Sequence, residues 1–331
     1  MPAPRARNEH GPVTPGHLDD AFAHCASLTA AHGRTYDLAA RLLPKERRRA
    51  VHALYGFARI VDDIVDVTAV DDPAAAARGV DDADARLHQA LKGNPGIPDP
   101  TGLVVRALAA TIARYDIPVT YFEAFLRSMR MDIPGTTEHR VRYRDMAELR
   151  EYMYGSAAVI GLQLLTVFGV DDIDRAGPYA SALGEAFQLT NFIRDVGEDL
   201  ERDRVYLPND LWTAFGVDDD LLRASRSHRR PDPRVRRALA HAVALTRDRY
   251  REAEPGLDLL PRRVRPGIRT AFVLYSRILD EVEHSGYRVL DRRVVVPRRT
   301  RMSVAAMQAA SGAIAGRPRK TSPGVREGRA S

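Results

Sequence analysis

Two stretches of the 331-residue chain set aspartates four apart on helices that are otherwise apolar. The first is Tyr55-Gly-Phe-Ala-Arg59-Ile-Val-Asp62-Asp63-Ile-Val-Asp66. The second is Gln188-Leu-Thr-Asn191-Phe-Ile-Arg194-Asp195-Val-Gly-Glu-Asp199. Residues i and i+4 share a face of an α-helix, so Asp62 stacks on Asp66 and Asp195 on Asp199. The stripes extend backwards through Tyr55 and Arg59, and through Gln188 and Asn191. An unpaired carboxylate is costly to bury, and two acidic pairs on facing helices repel. A divalent cation between the helices removes both problems. Oxygen-only donors, the carboxylates and the Asn191 amide, suit a hard ion: Mg²⁺, with Mn²⁺ as second choice. Mg²⁺ shares its shell with substrate phosphates, so the expected guest is a metal–diphosphate. One Asp-x-x-x-Asp alone reads as a solvated acidic face; two copies on apolar helices are harder to read that way. Arg59 and Arg194 read two ways. Each is an i+4 partner, of Asp63 and Glu198 respectively, or part of a diphosphate clamp.

The remainder is helical in pattern, with apolar residues recurring at three and four. Helices are predicted near 17–30, 46–68, 73–92, 101–115, 119–131, 145–168, 175–200, 234–253 and 262–287. Breaks fall at Pro44, Pro118, Pro134-Gly135, Pro208 and Pro231. Residues 288–296 form one β-branched stretch, read as an extended return. The expected fold class is all-α. Residues 1–14 are expected to be disordered, 15–297 to form a single catalytic domain, and 298–331 to form a basic, disordered tail.

Composition excludes several classes. At 44% hydrophobic the chain is too apolar to be disordered. A single cysteine, Cys25, excludes a disulfide framework and a Cys-based zinc site. No apolar run is long enough to span a membrane, and the N-terminus lacks a signal core. A cytoplasmic protein is expected. The net charge of +6 invites a nucleic-acid reading. Residues 292–331, however, hold ten Lys/Arg against Glu327 alone, a balance of +9 that leaves −3 for the rest. No nucleic-acid partner is therefore expected. The basic tail faces either solvent or an anionic membrane surface.

The stripes resemble the squalene/phytoene synthase family of head-to-head prenyl synthases. Gln188 to Asp199 followed by Arg204-Val-Tyr206-Leu-Pro208 is similar to its second signature, and Tyr55 to Asp66 to its first. Tyr152-Met-Tyr154-Gly-Ser-Ala-Ala-Val-Ile-Gly161 resembles its central helix. His32-Gly-Arg-Thr-Tyr36 fits its early phosphate-binding segment, with Gly33 where many members have Ser. Tyr275-Ser-Arg-Ile-Leu-Asp-Glu-Val and Arg292 fit its C-terminal segment. The likeness covers about residues 20–298 and is strongest to actinobacterial phytoene synthases.

The resemblance implies an all-α isoprenoid-synthase bundle around a central apolar cavity. It implies Mg²⁺-dependent condensation of two geranylgeranyl diphosphates, through prephytoene diphosphate, to phytoene, with no nicotinamide cofactor. Asp62, Asp66, Asn191, Asp195 and Asp199 are then the metal ligands. His32, Arg34, Thr35, Tyr36, Tyr55, Arg59, Gln188, Arg194, Tyr275 and Arg292 take the substrate's diphosphate and chain. Tyr152 sits near the reacting carbons, steering proton loss or holding the cation; its plain alternative is a core tyrosine. His32 alone would read as structural. The small residues from Gly155 to Gly161 either make room for a prenyl tail or let helices pack closely. Met153, Phe187 and Phe192 read as wall or core.

A C40 product must pass into a bilayer; a basic tail holding the enzyme at the inner face of the membrane would serve that step, and a flexible tail with no partner is the plain alternative. Rival readings are a squalene or presqualene diphosphate synthase using farnesyl diphosphate, a head-to-tail elongase or cyclase, and a non-catalytic helical scaffold. The scaffold predicts lost ligands, whereas all five are present.

Overall fold

The computed structural model describes residues 15–94, 96–229 and 231–315. The segment 1–14 and the end of the basic tail, 316–331, lie outside the described residues.

The chain runs through α1 (Pro15–His32), α2 (Arg34–Ala40), α3 (Lys45–Asp63), α4 (Ala69–Asp71), α5 (Pro73–Leu91), α6 (Pro100–Tyr115) and α7 (Val119–Arg130). It continues through α8 (Met146–Met153), α9 (Val159–Phe168), α10 (Ile173–Glu201), α11 (Asn209–Ala214) and α12 (Asp219–Ser227). It closes with α13 (Pro233–Ala253), α14 (Arg265–His284) and α15 (Arg298–Ala315). All nine expected helices are present, each within a few residues of its predicted ends. Two are interrupted: π turns at Ile64–Thr68 and Tyr154–Ala158 join α3 to α4 and α8 to α9. The sole β pairing among the described residues is an isolated bridge between Arg142 and Val205. The expected extended return is instead a single 3₁₀ turn, Arg288–Leu290, followed by irregular chain. α15 likewise forms a helix in residues expected to be irregular. Its inner side is fixed by the buried Val304 and Ala305, packed against α14.

Aspartates start many of these helices. Asp72, Asp99 and Asp232 each precede a proline and accept from the backbone N–H of Ala75, Gly102 and Arg234 at 2.8, 2.6 and 2.8 Å. An Asp cap satisfies an orphan donor, and the proline behind it has no N–H to satisfy. Asp145, Asp172 and Asp218 cap α8, α10 and α12 in the same way.

α10 lies at the centre, packed against α9, α13, α14 and the second π turn. One apolar core lies among α1, α3, α5, α6, α7 and α9, and a second among α8 and α10–α14. Close approach of the segment 155–161 to α10 and α7 depends on missing side chains. A Cβ on Gly161 would lie 2.3 Å from the Ala180 carbonyl oxygen, and one on Gly155 2.1 Å from that of Ala124 on α7. The close-packing reading of the small-residue run is thus correct at both its glycines.

Candidate active site

The two acidic stripes are not equivalent. The second lies on α10, unbroken, in the expected register. The first crosses from α3 into the π turn, with Asp62 on the helix and Asp66 within the turn. A π turn widens the hydrogen-bonded ring by one residue, so Asp66 leaves the α register in which it would stack on Asp62. Its carboxylate meets Arg204, whose Nη1 donates to Asp66 Oδ1 at 2.8 Å. Arg202 adds a second guanidinium 3.6 Å away. The segment leaving α10 thereby binds the end of the first stripe.

Burial drives the Asp62 carboxyl up to about 8, with the nearby Asp66 charge adding to it. Asp199 is also pushed well up, by burial first and then by Asp195, with Asp66 contributing from the other stripe. Carboxyls that burial and one another push up in this way are what a divalent cation would offset. The Asn191 side-chain oxygen is buried with no hydrogen-bond partner. An orphan acceptor of this kind costs about 1–3 kcal/mol unless a ligand satisfies it. Among the described residues, no three acidic or histidine side chains converge closely enough to hold an ion by themselves. That agrees with Mg²⁺ chemistry, in which one or two carboxylates are completed by water and substrate phosphate. The donor set fits such an ion.

Arginines ring the stripes. Arg59 pairs with Asp63, Nε to Oδ2 at 3.2 Å, as its i+4 reading predicts. Arg194 does not reach Glu198. It turns to its neighbour Asp195 (Nε to Oδ1, 2.8 Å), and Glu198 is taken by Arg293 at 3.0 Å. Arg293 also stands 3.3 Å from Asp195. It is Arg293, and not the predicted Arg292, whose side chain contacts the stripe; Arg292 is exposed and shows only a backbone bond to Arg288. His32 is exposed at the end of α1, and Thr35 is half-buried on α2. The Arg34 side chain lies outside the described residues.

The predicted tyrosines gather on one side. Tyr36 packs against Tyr55 at 5.9 Å and Tyr275 at 5.2 Å between ring centroids, and Tyr275 stacks on Phe187 at 4.4 Å. At Gly33 a Cβ would lie 2.8 Å from the Tyr55 ring, so a larger residue there would shift that ring. An apolar cavity starts from Tyr36 and Phe187. Tyr36, Phe187 and Gln188 belong to its wall, as do Ala157, Gly161 and Leu164, with Leu43, Phe168 and Leu260 further along. Phe187 is thus cavity wall, whereas Met153 and Phe192 are buried core. The small-residue run therefore also shapes the cavity, so both readings of it hold.

Tyr152 is buried, 3% exposed, at the end of α8. Its hydroxyl donates to Asp132 Oδ2 at 2.6 Å, and the Tyr206 hydroxyl donates to Oδ1 at 3.0 Å. The Tyr206 ring stacks on Phe192 of α10 at 4.3 Å. Arg204 Nη2 reaches the Asp132 carbonyl at 3.1 Å. Asp132 was invisible in the sequence because one aspartate after α7 has no pattern. Arg204 and Tyr206 appear there only as letters of the second signature. Cys25 takes no part: it is fully buried, and burial pushes its thiol up to about 12.

Comparison with known proteins agrees with this geometry. The sequence model described as squalene/phytoene synthase matches residues 29–300. A phytoene synthase of Arthrospira platensis is 33% identical over 300 residues, covering 86% of this chain and 91% of its own. A 15-cis-phytoene synthase of Synechocystis is 33% identical over 295 residues, covering 85% and 82%. The crystal structure of a ligand-bound dehydrosqualene synthase superposes with a TM-score of 0.78 at 25% identity, over 89% of this chain and 98% of that one. The helical fold is that of the isoprenoid synthases, and the chain belongs to the squalene/phytoene synthase family.

Proposed function

We propose that the protein joins two geranylgeranyl diphosphates head to head, through prephytoene diphosphate, to phytoene, with residues 15–297 acting as one catalytic unit. The observation that carries this is an apolar cavity whose wall includes Gln188, the first member of the second acidic stripe. A prenyl chain lying in the cavity has its charged end beside those carboxylates. The relatives named phytoene synthase support the C20 substrate and C40 product.

Asp62, Asp66, Asn191, Asp195 and Asp199 would hold Mg²⁺. When bound, the ion supplies charge neutralisation for a departing allylic diphosphate. Arg59 and Arg194 leave their carboxylate partners for diphosphate oxygens, which present the same bidentate geometry. His32 assists from the end of α1, Arg34 and Thr35 from α2, and the C-terminal segment through Arg293, which already reaches Asp195, with Arg292 beside it. Tyr36, Tyr55 and Tyr275 close the polar end of the cavity. Its apolar wall excludes water from the allylic cation, and aromatic faces stabilise the cation without attacking it. Tyr152 takes part at the reacting carbons.

A second reading, condensation of farnesyl diphosphate, is favoured by the likeness to a dehydrosqualene synthase. Incubating the protein and Mg²⁺ with C15 and C20 allylic diphosphates separately, with and without NADPH, decides between them. Phytoene from C20 without NADPH supports the proposal, a C30 product alone supports the second reading, and no turnover refutes both.

Among the described residues, no helix is long and apolar enough to cross a membrane. We infer peripheral contact with anionic lipid through α15 and the basic residues after it. Arg298, Arg299 and Arg301 open that helix, and Met302 and Met307 are exposed on it. Each basic residue contributes about 1 kcal/mol at an anionic surface. Removing 298–331 should abolish co-sedimentation with anionic vesicles; unchanged binding ends the idea.

A further inference from the structure

Asp195 carries two guanidinium groups at once. Arg194 donates from Nε to Oδ1 at 2.8 Å and from Nη2 to Oδ2. Arg293 makes a second fork, its Nε 3.3 Å from Oδ1 and its Nη2 3.4 Å from Oδ2. An ionised carboxylate has about four lone-pair sites over its two oxygens. The two forks therefore fill Asp195. Asp66 in the first stripe is not filled: Arg204 takes one site on Oδ1 at 2.8 Å, and Arg202 stays 3.6 Å from Oδ2. A hard cation bonds a carboxylate through the same oxygen lone pairs. It reaches Asp195 only when one fork leaves.

Burial and distance decide which fork leaves. The Arg194 side chain makes the shorter bonds and is 14% exposed, whereas that of Arg293 is 47% exposed. Arg293 has a further partner of its own, donating from Nη1 to Glu198 at 3.0 Å. Its backbone is held in place. Val294 and Val296, just after it, are buried. Arg226 ties the preceding 3₁₀ turn to α10, donating to the carbonyls of Gly197 and Leu290 at 2.8 and 2.6 Å. Gly197 permits that approach, since a Cβ there would lie 2.5 Å from the Leu290 carbonyl oxygen. Release of Asp195 is thus a side-chain movement from a fixed base.

Resting on the reading of the stripes as a metal–diphosphate site, we propose that Arg293 is a built-in competitor of the metal ion. It fills the Asp195 lone pairs that the ion needs, and it yields them when a diphosphate arrives to take the guanidinium. Diphosphate oxygens offer a guanidinium the same bidentate match as a carboxylate. Metal and diphosphate then favour each other's binding, by equal factors, because coupling between two bound ligands is reciprocal. The site takes up its metal together with the group that is to be ionised.

The test is metal binding by the full-length protein, read from the paramagnetic resonance signal of free Mn²⁺, with and without inorganic diphosphate. A protein-free titration corrects for Mn²⁺–diphosphate complexes in solution. Arg293→Gln removes the fork. Arg292→Gln is the control: it removes the same charge from the adjacent exposed residue, whose side chain bonds neither stripe among the described residues. Arg293→Gln should bind Mn²⁺ alone about tenfold tighter than wild type, and diphosphate should raise its Mn²⁺ affinity about tenfold less. Arg292→Gln should stay within about twofold of wild type. Mn²⁺ affinity in Arg293→Gln within about twofold of wild type or weaker, or an equal gain in Arg292→Gln, overturns the proposal. Arg293→Lys keeps the charge but cannot fill both oxygens. It serves if Arg293→Gln does not fold, and unchanged Mn²⁺ affinity in it also overturns the proposal. No Mn²⁺ bound by wild type even with diphosphate refutes instead the metal assignment on which this rests.

Discussion

Arg204 and Asp66 lie 138 residues apart in sequence and 2.8 Å apart in space, Nη1 to Oδ1. The other nitrogen of the same guanidinium is 3.1 Å from the Asp132 carbonyl. One planar fork therefore joins the first acidic stripe, the segment after α10 and the tyrosine–aspartate group. Lysine is a point donor and cannot span both acceptors. Arg204→Lys should lower kcat/KM by about tenfold or more, and its far-ultraviolet circular dichroism should match wild type. Unchanged kinetics would make the fork incidental.

Asn191 presents a buried side-chain oxygen that no protein group bonds. Asn191→Leu removes that desolvated group, so the metal-free fold should be as stable as wild type or more so. Its response to metal should be lost. Ligand present at 100 times its dissociation constant stabilises a protein by about 2.7 kcal/mol. Wild type should thus melt several degrees higher with saturating Mg²⁺ than with chelator, and Asn191→Leu should show no such rise. An equal rise in both removes Asn191 from the ligand set.

Asp132 also makes a prediction about stability alone. Its carboxyl is raised from 3.8 to about 6 in the folded protein. Between those values the native state binds more protons than the unfolded chain, so stability falls as pH rises through this window. Above about 6 the loss from this group is complete, on the order of 3 kcal/mol. Asparagine does not titrate. The melting temperature of Asp132→Asn minus that of wild type should be more positive at pH 7.5 than at pH 4.5. A difference independent of pH would show an ordinary carboxyl.

The legible part of the fold was its regular helices, because burial at spacings of three and four leaves a direct trace in α3, α10 and α14. Both acidic stripes were legible for the same reason. Three things were not. The π turn at Asp66 changes register without changing residue type. The choice of Arg194 for Asp195, and of Arg293 for Glu198, depends on side-chain geometry across elements. Asp132 acquires its meaning only when α7, α8 and the segment after α10 meet. α2, α11 and α12 were missed because six to nine residues give too little period to read.

Close packing around α10 gives a further prediction. A Cβ at residue 161 would sit 2.3 Å from the Ala180 carbonyl, which is backbone and cannot swing aside. Gly161→Ala should destabilise the fold by about 1–3 kcal/mol, measured by urea unfolding. Because Gly161 also lines the cavity, affinity for the prenyl substrate should fall as well. An unchanged unfolding midpoint would mean that α9 and α10 can move apart freely.

The most direct test of the central claim is product analysis. Purified protein is given Mg²⁺ and geranylgeranyl diphosphate alone, and the hydrocarbon is identified by chromatography and mass spectrometry. Asp62→Ala and Asp195→Ala are run beside it. The expected result is phytoene from wild type without NADPH, and none from either folded variant. Turnover retained in either variant, or no hydrocarbon from wild type, would contradict the assignment of the two stripes as one diphosphate-ionising site.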